Sequence, residues 1–376
     1  MLIWLETKKI LLTPMMFVFL ALCFGFNLLF VIPNIYDDYG SYVAAASRTT
    51  GYKLNAEFED KIALLEPGEK RDFFSEDTKG RTDVFDGYET AYIAEAYIRR
   101  LGLSGYTADA MRDKYAALQN AVDEKADSGE SLTLYFAGDT VSKHFLLNGI
   151  TLRFLFLECG LLVALIVLFS LGYEHANRTA HTVYAAKTGR NIMRHKLTAS
   201  LSAGLLACTL LSALTLGVYF ALNDYGNIWG SSVSSGFNFI SDEFAGDRPF
   251  VTWQSRTVSA YLLAVLGIAL LLAVCFGLMA YVIGTLLKNS YISFLIFLIV
   301  NAKLVVFAVL FSKSLPAYLA VHTPVWLWLK QPLWFTDGGP DFLWKNFETL
   351  GVLASLILLA GLCLFSTGLF RKRDVA

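Results

Sequence analysis

The chain has 376 residues, of which 55% are hydrophobic and 29 are Phe, and its mean hydropathy is +0.50. Soluble globular chains carry less apolar residue than this, so the composition excludes that class and indicates a polytopic membrane protein. The net charge of −1 hides a split: residues 33–148 hold 21 acids and 13 Lys or Arg, net −8, leaving +7 on the remainder.

A membrane-spanning helix needs about 20 apolar residues. Six stretches qualify: 10–32, 149–172, 197–222, 258–285, 290–312 and 347–370. An even number places both termini on one side. The fold class is therefore a polytopic α-helical membrane protein, with six spans and a mainly helical extracytoplasmic domain between spans 1 and 2.

In chain order, Leu2 to Lys9 is a short amphipathic lead carrying Trp4, suited to the membrane interface. The run 10–32 is too long for the apolar region of a signal peptide and has no small-residue cleavage site directly after it, so it is read as an uncleaved anchor with Pro14 in its first turn. Residues 33–148 make one small domain. Helical spacing is evident in Thr90 to Arg100 and Ala108 to Ala126, punctuated by Gly102, Gly105 and Gly129. Leu132 to Phe136 reads as a short strand, and the charged, Gly-interrupted stretch 67–87 as a loop. The acids Asp37, Asp38, Asp83 and Asp86 form either a cation site or a solvated surface, and His144 stands near the membrane.

Residues 149–376 form the membrane portion. Within it, Ser200, Gly204, Cys208 and Ser212 recur every four residues, a ridge of small side chains that lets another helix approach. Spans 4 and 5 are joined by a tight hairpin carrying Lys288. Residues 313–346 are too rich in Trp for a plain loop and are broken at Gly338-Gly339-Pro340. Such aromatics suit an interface or two half-helices dipping into the bilayer. All five cysteines (Cys23, Cys159, Cys208, Cys275, Cys363) fall inside predicted spans, where they serve as small packing residues.

The segment 173–196 orients everything else. It carries Arg178, Lys187, Arg190, Arg194 and Lys196 against one acid, Glu174, between two long apolar runs. Five positive charges in a short loop predict that it is cytoplasmic. Lys8, Lys9, Lys288, Arg371, Lys372 and Arg373 fall on the same side. On the opposite side Arg248, Arg256, Lys313, Lys330 and Lys345 are balanced by acids such as Asp224, Asp242, Glu243, Asp247, Asp337, Asp341 and Glu348. Gly189 is placed to end a helix that starts near Glu174. Arg190, Arg194 and Lys196 are placed to meet anionic headgroups. His175, His181 and His195 read as exposed loop residues.

Two intramembrane charges stand out. Glu158 and Lys303 each lie about nine residues from the outer end of their spans, about 13 Å deep, with Asn301 nearby. An unpaired charge there costs at least about 2.5–3.5 kcal/mol. The two are therefore expected to pair in the protein interior, as a structural ion pair or as a polar element of a pathway.

The pattern of Glu174 just after a span, a short helical stretch, Thr188-Gly189-Arg190, and Lys196 at the mouth of the next span resembles ABC transporter permeases of the type-2 export family. The resemblance covers residues 150–225 most closely. It implies a dimeric permease subunit, homo- or heterodimeric, in a bacterial plasma membrane. A separate cytosolic ATPase would dock on the loop through Glu174, Arg178, Thr188, Gly189, Arg190 and Lys196, and ATP and Mg would be bound by that partner. It also favours the re-entrant form of 313–346. The chain has no G-x-x-x-x-G-K-[ST], G-x-S-x-G, H-E-x-x-H or C-x-x-C motif, so no cofactor, metal, nucleic-acid partner or ATPase activity of its own is expected. The alternative is a transmembrane sensor that relays the state of its outer domain without moving a substrate. A secondary transporter is a third reading, weakened by few intramembrane carboxylates and no visible inverted repeat.

Overall fold

Pro14 shapes the entry of the chain into the bundle. Proline lacks the N–H a helix interior needs and drives the preceding residue out of helical geometry; Thr13 is accordingly extended (φ −73°, ψ 125°). The computed structural model, which describes residues 2–32, 38–139, 143, 146–185, 189–239, 251–287, 289–311 and 314–372, therefore has two helices where one span starting at Ile10 was expected. They are α1 (Leu2–Leu11) and α2 (Pro14–Val31), bent by 55°. Ile10 is buried at the end of α1, while Trp4 and Leu5 are exposed. Asp37, His144, Asp242, Glu243, Asp247, Arg248, Lys288, Lys313 and Arg373 lie outside the described residues.

The polar insert folds as α3 (Asp38–Thr50), α4 (Ala56–Ile62), α5 (Glu69–Thr78), α6 (Ala91–Leu101) and α7 (Tyr106–Ser128). Helices α6 and α7 match the predicted pair. Each ends on a glycine in the left-handed region, Gly102 (φ 63°) and Gly129 (φ 62°), a conformation that costs a Cβ-bearing residue more. Two expectations are corrected. The stretch 67–87 contains α5, because Phe74 is fully buried against Phe58 and Tyr42 and anchors the turn. Leu132 to Phe136 is not a strand: Leu134 to Ala137 are all buried, so no face alternates toward solvent as a half-buried strand requires, and pairing stops at one bridge between Lys53 and Thr133. Asp83 accepts hydrogen bonds from Ser131 and the Phe85 amide, and no cluster of metal-ligating side chains occurs among the described residues.

The second half is built from α8 (Leu152–Ala176, entered through a π-helical turn at Leu146–Thr151), α9 (Ala180–Ala185), α10 (Ile192–Leu222), α11 (Val258–Leu286), α12 (Ser290–Leu310), α13 (Leu315–Ala320), α14 (Pro324–Leu329) and α15 (Phe347–Lys372). Five of these helices are long and apolar enough to cross a membrane, and α1 with α2 makes a sixth if the bent pair is one span. With such helices and no β-strand among its described residues, the chain is a polytopic helical membrane protein.

Helix α8 is the axis of the bundle, the most buried of the spans. Its neighbours come close because small residues line the seams. A Cβ at Gly277 of α11 would lie 2.7 Å from Val163 and Leu201, and one at Gly160 would meet Phe276 at 2.7 Å. The ridge Ser200, Gly204, Cys208 turns the same way: Gly204 faces Val163, and the Cys208 thiol points at the Cys159 carbonyl (3.5 Å). All five cysteines are free and buried. Large apolar side chains on α2, α12 and α15, among them Leu22, Leu29, Leu310, Ile357 and Leu364, remain exposed, as lipid-facing positions must.

The insert is not a separate body. Phe85, Ile98, Met111, Tyr115 and Leu118 share a core with Trp253 before α11, Tyr318 of α13 and Leu343 before α15. The short helices α13 and α14 and the segment after them are seated on the start of α8: Trp328 Nε1 donates to the Arg153 carbonyl (2.7 Å), and Trp334 stacks on Phe156 (6.0 Å).

Candidate functional site

At the end of the bundle away from the insert, α8 and α10 form a hairpin closed by α9. The reversal is sharp. Asn177 ends α8, Arg178 adopts a left-handed φ of 57°, and the Thr179 amide donates to the Glu174 carbonyl (2.9 Å). The expected continuous helix from Glu174 to Gly189 is thus absent: α8 stops at Ala176, α9 spans six residues, and Gly189 (φ 49°) opens a 3-10 turn leading into α10. Thr188 and Lys187 lie outside the described residues, as does the side chain of Arg190.

Two residues predicted to meet a partner are placed elsewhere. Glu174 (3% exposed) and Lys196 (0%) form a buried ion pair across the hairpin, and Lys196 also donates to the Ser170 carbonyl. The physical reason is register. The last turn of α8 faces the first turn of α10, and an acid and a base at the same level offset each other's desolvation. Lys9 of α1 completes the set, 3.5 Å from Glu174, 2.7 Å from Glu6 and 4.0 Å from the centre of the Tyr173 ring. Two acids and two bases thus lock α1, α8 and α10 together. Glu6 was not singled out from sequence, and Lys9 only as one of the positive charges on that side; the signal was an i, i+3 acid–base pair on the amphipathic lead.

What remains exposed at this end is basic: Lys8, Arg178, Arg194, Arg371 and Lys372, with His181 and Thr182 on α9. His175 and His195 are half-buried rather than exposed, and His175 packs on Tyr184. Burial, and secondarily the charge of Glu174, pushes the Tyr184 hydroxyl up to about 12. Tyr184 also meets Phe370 of α15 and walls a small cleft of about 60 Å³ that reaches Leu286 and Ser290 between α11 and α12.

The intramembrane pair is not formed. Lys303 is exposed on α12, and Asn301 turns to α11, its amide donating to the Phe297 carbonyl (2.9 Å) and lying 3.4 Å from Met279 Sδ. Equal depth was not enough, because α8 and α12 approach through Gly172 and Ser290 while Lys303 sits on the outward face. Glu158, 9% exposed, instead accepts a hydrogen bond from Asn27 Nδ2 of α2 (2.8 Å), which also donates to Thr215 of α10 (3.2 Å). Asn27 was missed although it is the one amide in 10–32.

A third buried charge joins the insert to the bundle. Lys114 of α7 donates to the carbonyls of Asp337 (3.2 Å), Gly339 (2.7 Å) and Phe342 (2.9 Å), while the Tyr115 hydroxyl donates to the Asp337 carboxylate. Burial lowers the Lys114 ammonium to about 8, against the opposing pull of Asp337. Burial together with the Asp337 charge holds the Tyr115 phenol far above its usual range. No protein-family model, curated protein or solved structure matches the chain.

Proposed function

We propose that this chain is the membrane-spanning permease subunit of an ATP-driven ABC exporter of the type-2 family, powered by a separate ATPase that docks on α9. The observation that carries the reading is the α8–α9–α10 hairpin. A short helix with exposed His181 and Thr182 and basic surroundings is carried between α8, the most buried helix of the bundle, and α10, whose facing ends are tied by the Glu174–Lys196 pair. Force applied to α9 reaches α8 and α10 together, because it joins the two directly. In this account Arg178 and Gly189, with His181 and Thr182, form the docking face, whereas Glu174 and Lys196 transmit. ATP and Mg belong to the partner.

The basic end then faces the cytosol of a bacterial cell, with both termini on that side, and the insert stands outside. The exposed apolar face of α12 would serve the second permease of a dimer. The test is co-purification. The wild-type chain retains an ATPase, and replacement of residues 179–186 by a Gly-Ser linker abolishes it; retention in that variant removes the docking role.

One observation favours a second reading, a transmembrane relay. The core of the insert is completed by residues preceding α11 and α15 and by α13, so a change in the insert reaches three inter-helix connections directly. Movement of solute in reconstituted vesicles supports the exporter; an inward conformational response with no flux supports the relay.

A further inference from the structure

We propose that the groove between α2 and α8 binds a hydrophobic organic cation, entering sideways from the bilayer, with Glu158 as its counter-charge. The proposal rests on the exporter reading only in making that cation the cargo; binding itself stands apart from it.

Glu158 lies in the interior of the span Leu146–Ala176 and makes no ion pair among the described residues. Its hydrogen-bond partner, Asn27 Nδ2, is shared with Thr215, and the Oδ1 of the fully buried Asn27 has no partner among the described residues. The cluster therefore offers acceptor oxygens in excess of donors, together with one carboxylate. Ca²⁺ or Mg²⁺ would want six or more oxygens, more than this cluster supplies, whereas an organic ammonium or phosphonium needs a charge and an apolar surround.

The groove supplies that surround. It holds about 540 Å³, within the range of ligand sites, and is lined by Ala21, Leu22, Cys23, Gly25, Phe26 and Leu29, with Glu158 the only charged residue among the described ones lining it. A Cβ at Gly25 would meet nothing within 4 Å, so the wall stands open there. Leu22 and Leu29 at the rim are each 67% exposed, which directs the opening toward lipid. Beside the carboxylate, Phe154, one turn before Glu158, stacks on Phe30 (4.9 Å) and meets Phe26 edge-on (5.7 Å). Aromatic faces next to a carboxylate favour a cation over a neutral guest.

The test uses the full chain in lipid nanodiscs and tetraphenylphosphonium as the probe, with neutral triphenylphosphine oxide as the control. Wild type is expected to bind the phosphonium saturably. Glu158→Gln, which still accepts from Asn27, should weaken it at least tenfold while changing binding of the neutral compound less than twofold. Leu22→Trp, which fills the rim without touching the carboxylate, should weaken both. Non-saturable phosphonium binding, or equal affinity in wild type and Glu158→Gln, overturns the proposal. So does a disulfide between two copies of Leu22→Cys with no phosphonium bound, which would give the groove to a second copy. Saturable, Glu158-dependent binding without ATP-driven flux leaves the site standing and removes the exporter reading.

Discussion

Two glutamates of the same helix have opposite surroundings. Glu174, at the end of α8, is held by Lys196 from α10 and Lys9 from α1. Glu158, within the bundle, has an amide and a hydroxyl-bearing neighbour but no cation among the described residues. Both are buried, so burial alone does not tell a structural charge from a functional one; the count of counter-charges does. A paired charge in an apolar bundle is bonded to its place, whereas an uncompensated one persists in a stable protein when it has other work.

The contrast breaks most visibly at Lys196. Lys196→Met leaves Glu174 buried with only the longer contact to Lys9, and should lower stability by about 3–5 kcal/mol, read as a lower melting temperature in detergent. Glu174→Leu combined with Lys196→Met should recover most of that loss; a double variant no better than the single one means the pair does not hold the hairpin.

Between the two glutamates, the α8–α11 seam closes over Gly277. Gly277→Val places side-chain atoms where Val163 and Leu201 already lie within 2.7 Å of a Cβ, and should cost about 1–3 kcal/mol. An unchanged melting temperature would show that α8 is not gripped there and that both glutamates are freer than described.

Lys114 sharpens the comparison as an intermediate case, a buried charge solvated by carbonyl dipoles. Its folded value of about 8 lies below the ordinary 10.5. Between those pH values the unfolded chain therefore binds a proton that the folded chain lacks, and stability rises with pH by up to about 1.4 kcal/mol per unit. Above pH 10 the sign reverses through Tyr115: its raised folded value makes the unfolded chain release its proton first. The wild-type melting temperature minus that of Lys114→Met should climb from pH 8 to 10; a flat difference would assign the ammonium no such role.

The smallest effect is expected at Glu158. Glu158→Gln keeps the hydrogen bond to Asn27 and should change stability by no more than about 1 kcal/mol. A loss as large as that of Lys196→Met would make Glu158 a structural anchor and erase the contrast.

The span helices were legible in the sequence because an apolar run of bilayer length has one stable form; α10, α11, α12 and α15 begin or end within a few residues of the expected bounds. The break at Pro14 was misread, since a proline near the start of a long apolar run suits a first turn as well as a bend. Helix α5 hid behind charge, being fixed by one buried phenylalanine. The site was half legible. Residue type and depth pointed to Glu158 and Glu174, but their partners depend on which faces of distant helices meet, and Lys303 shows that depth without orientation misleads. The composite core joining Tyr115 and Trp253 was invisible for the same reason, its members being brought together only by the fold.

The docking claim is tested most directly by a photo-activatable residue at His181, exposed on α9, incorporated in living cells. The account predicts an adduct with a cytosolic protein that carries an ATP-binding Walker A sequence, and none when the same residue replaces Tyr92 on α6, exposed in the insert. An ATPase adduct at Tyr92 rather than His181, or no ATPase adduct at either, would contradict it.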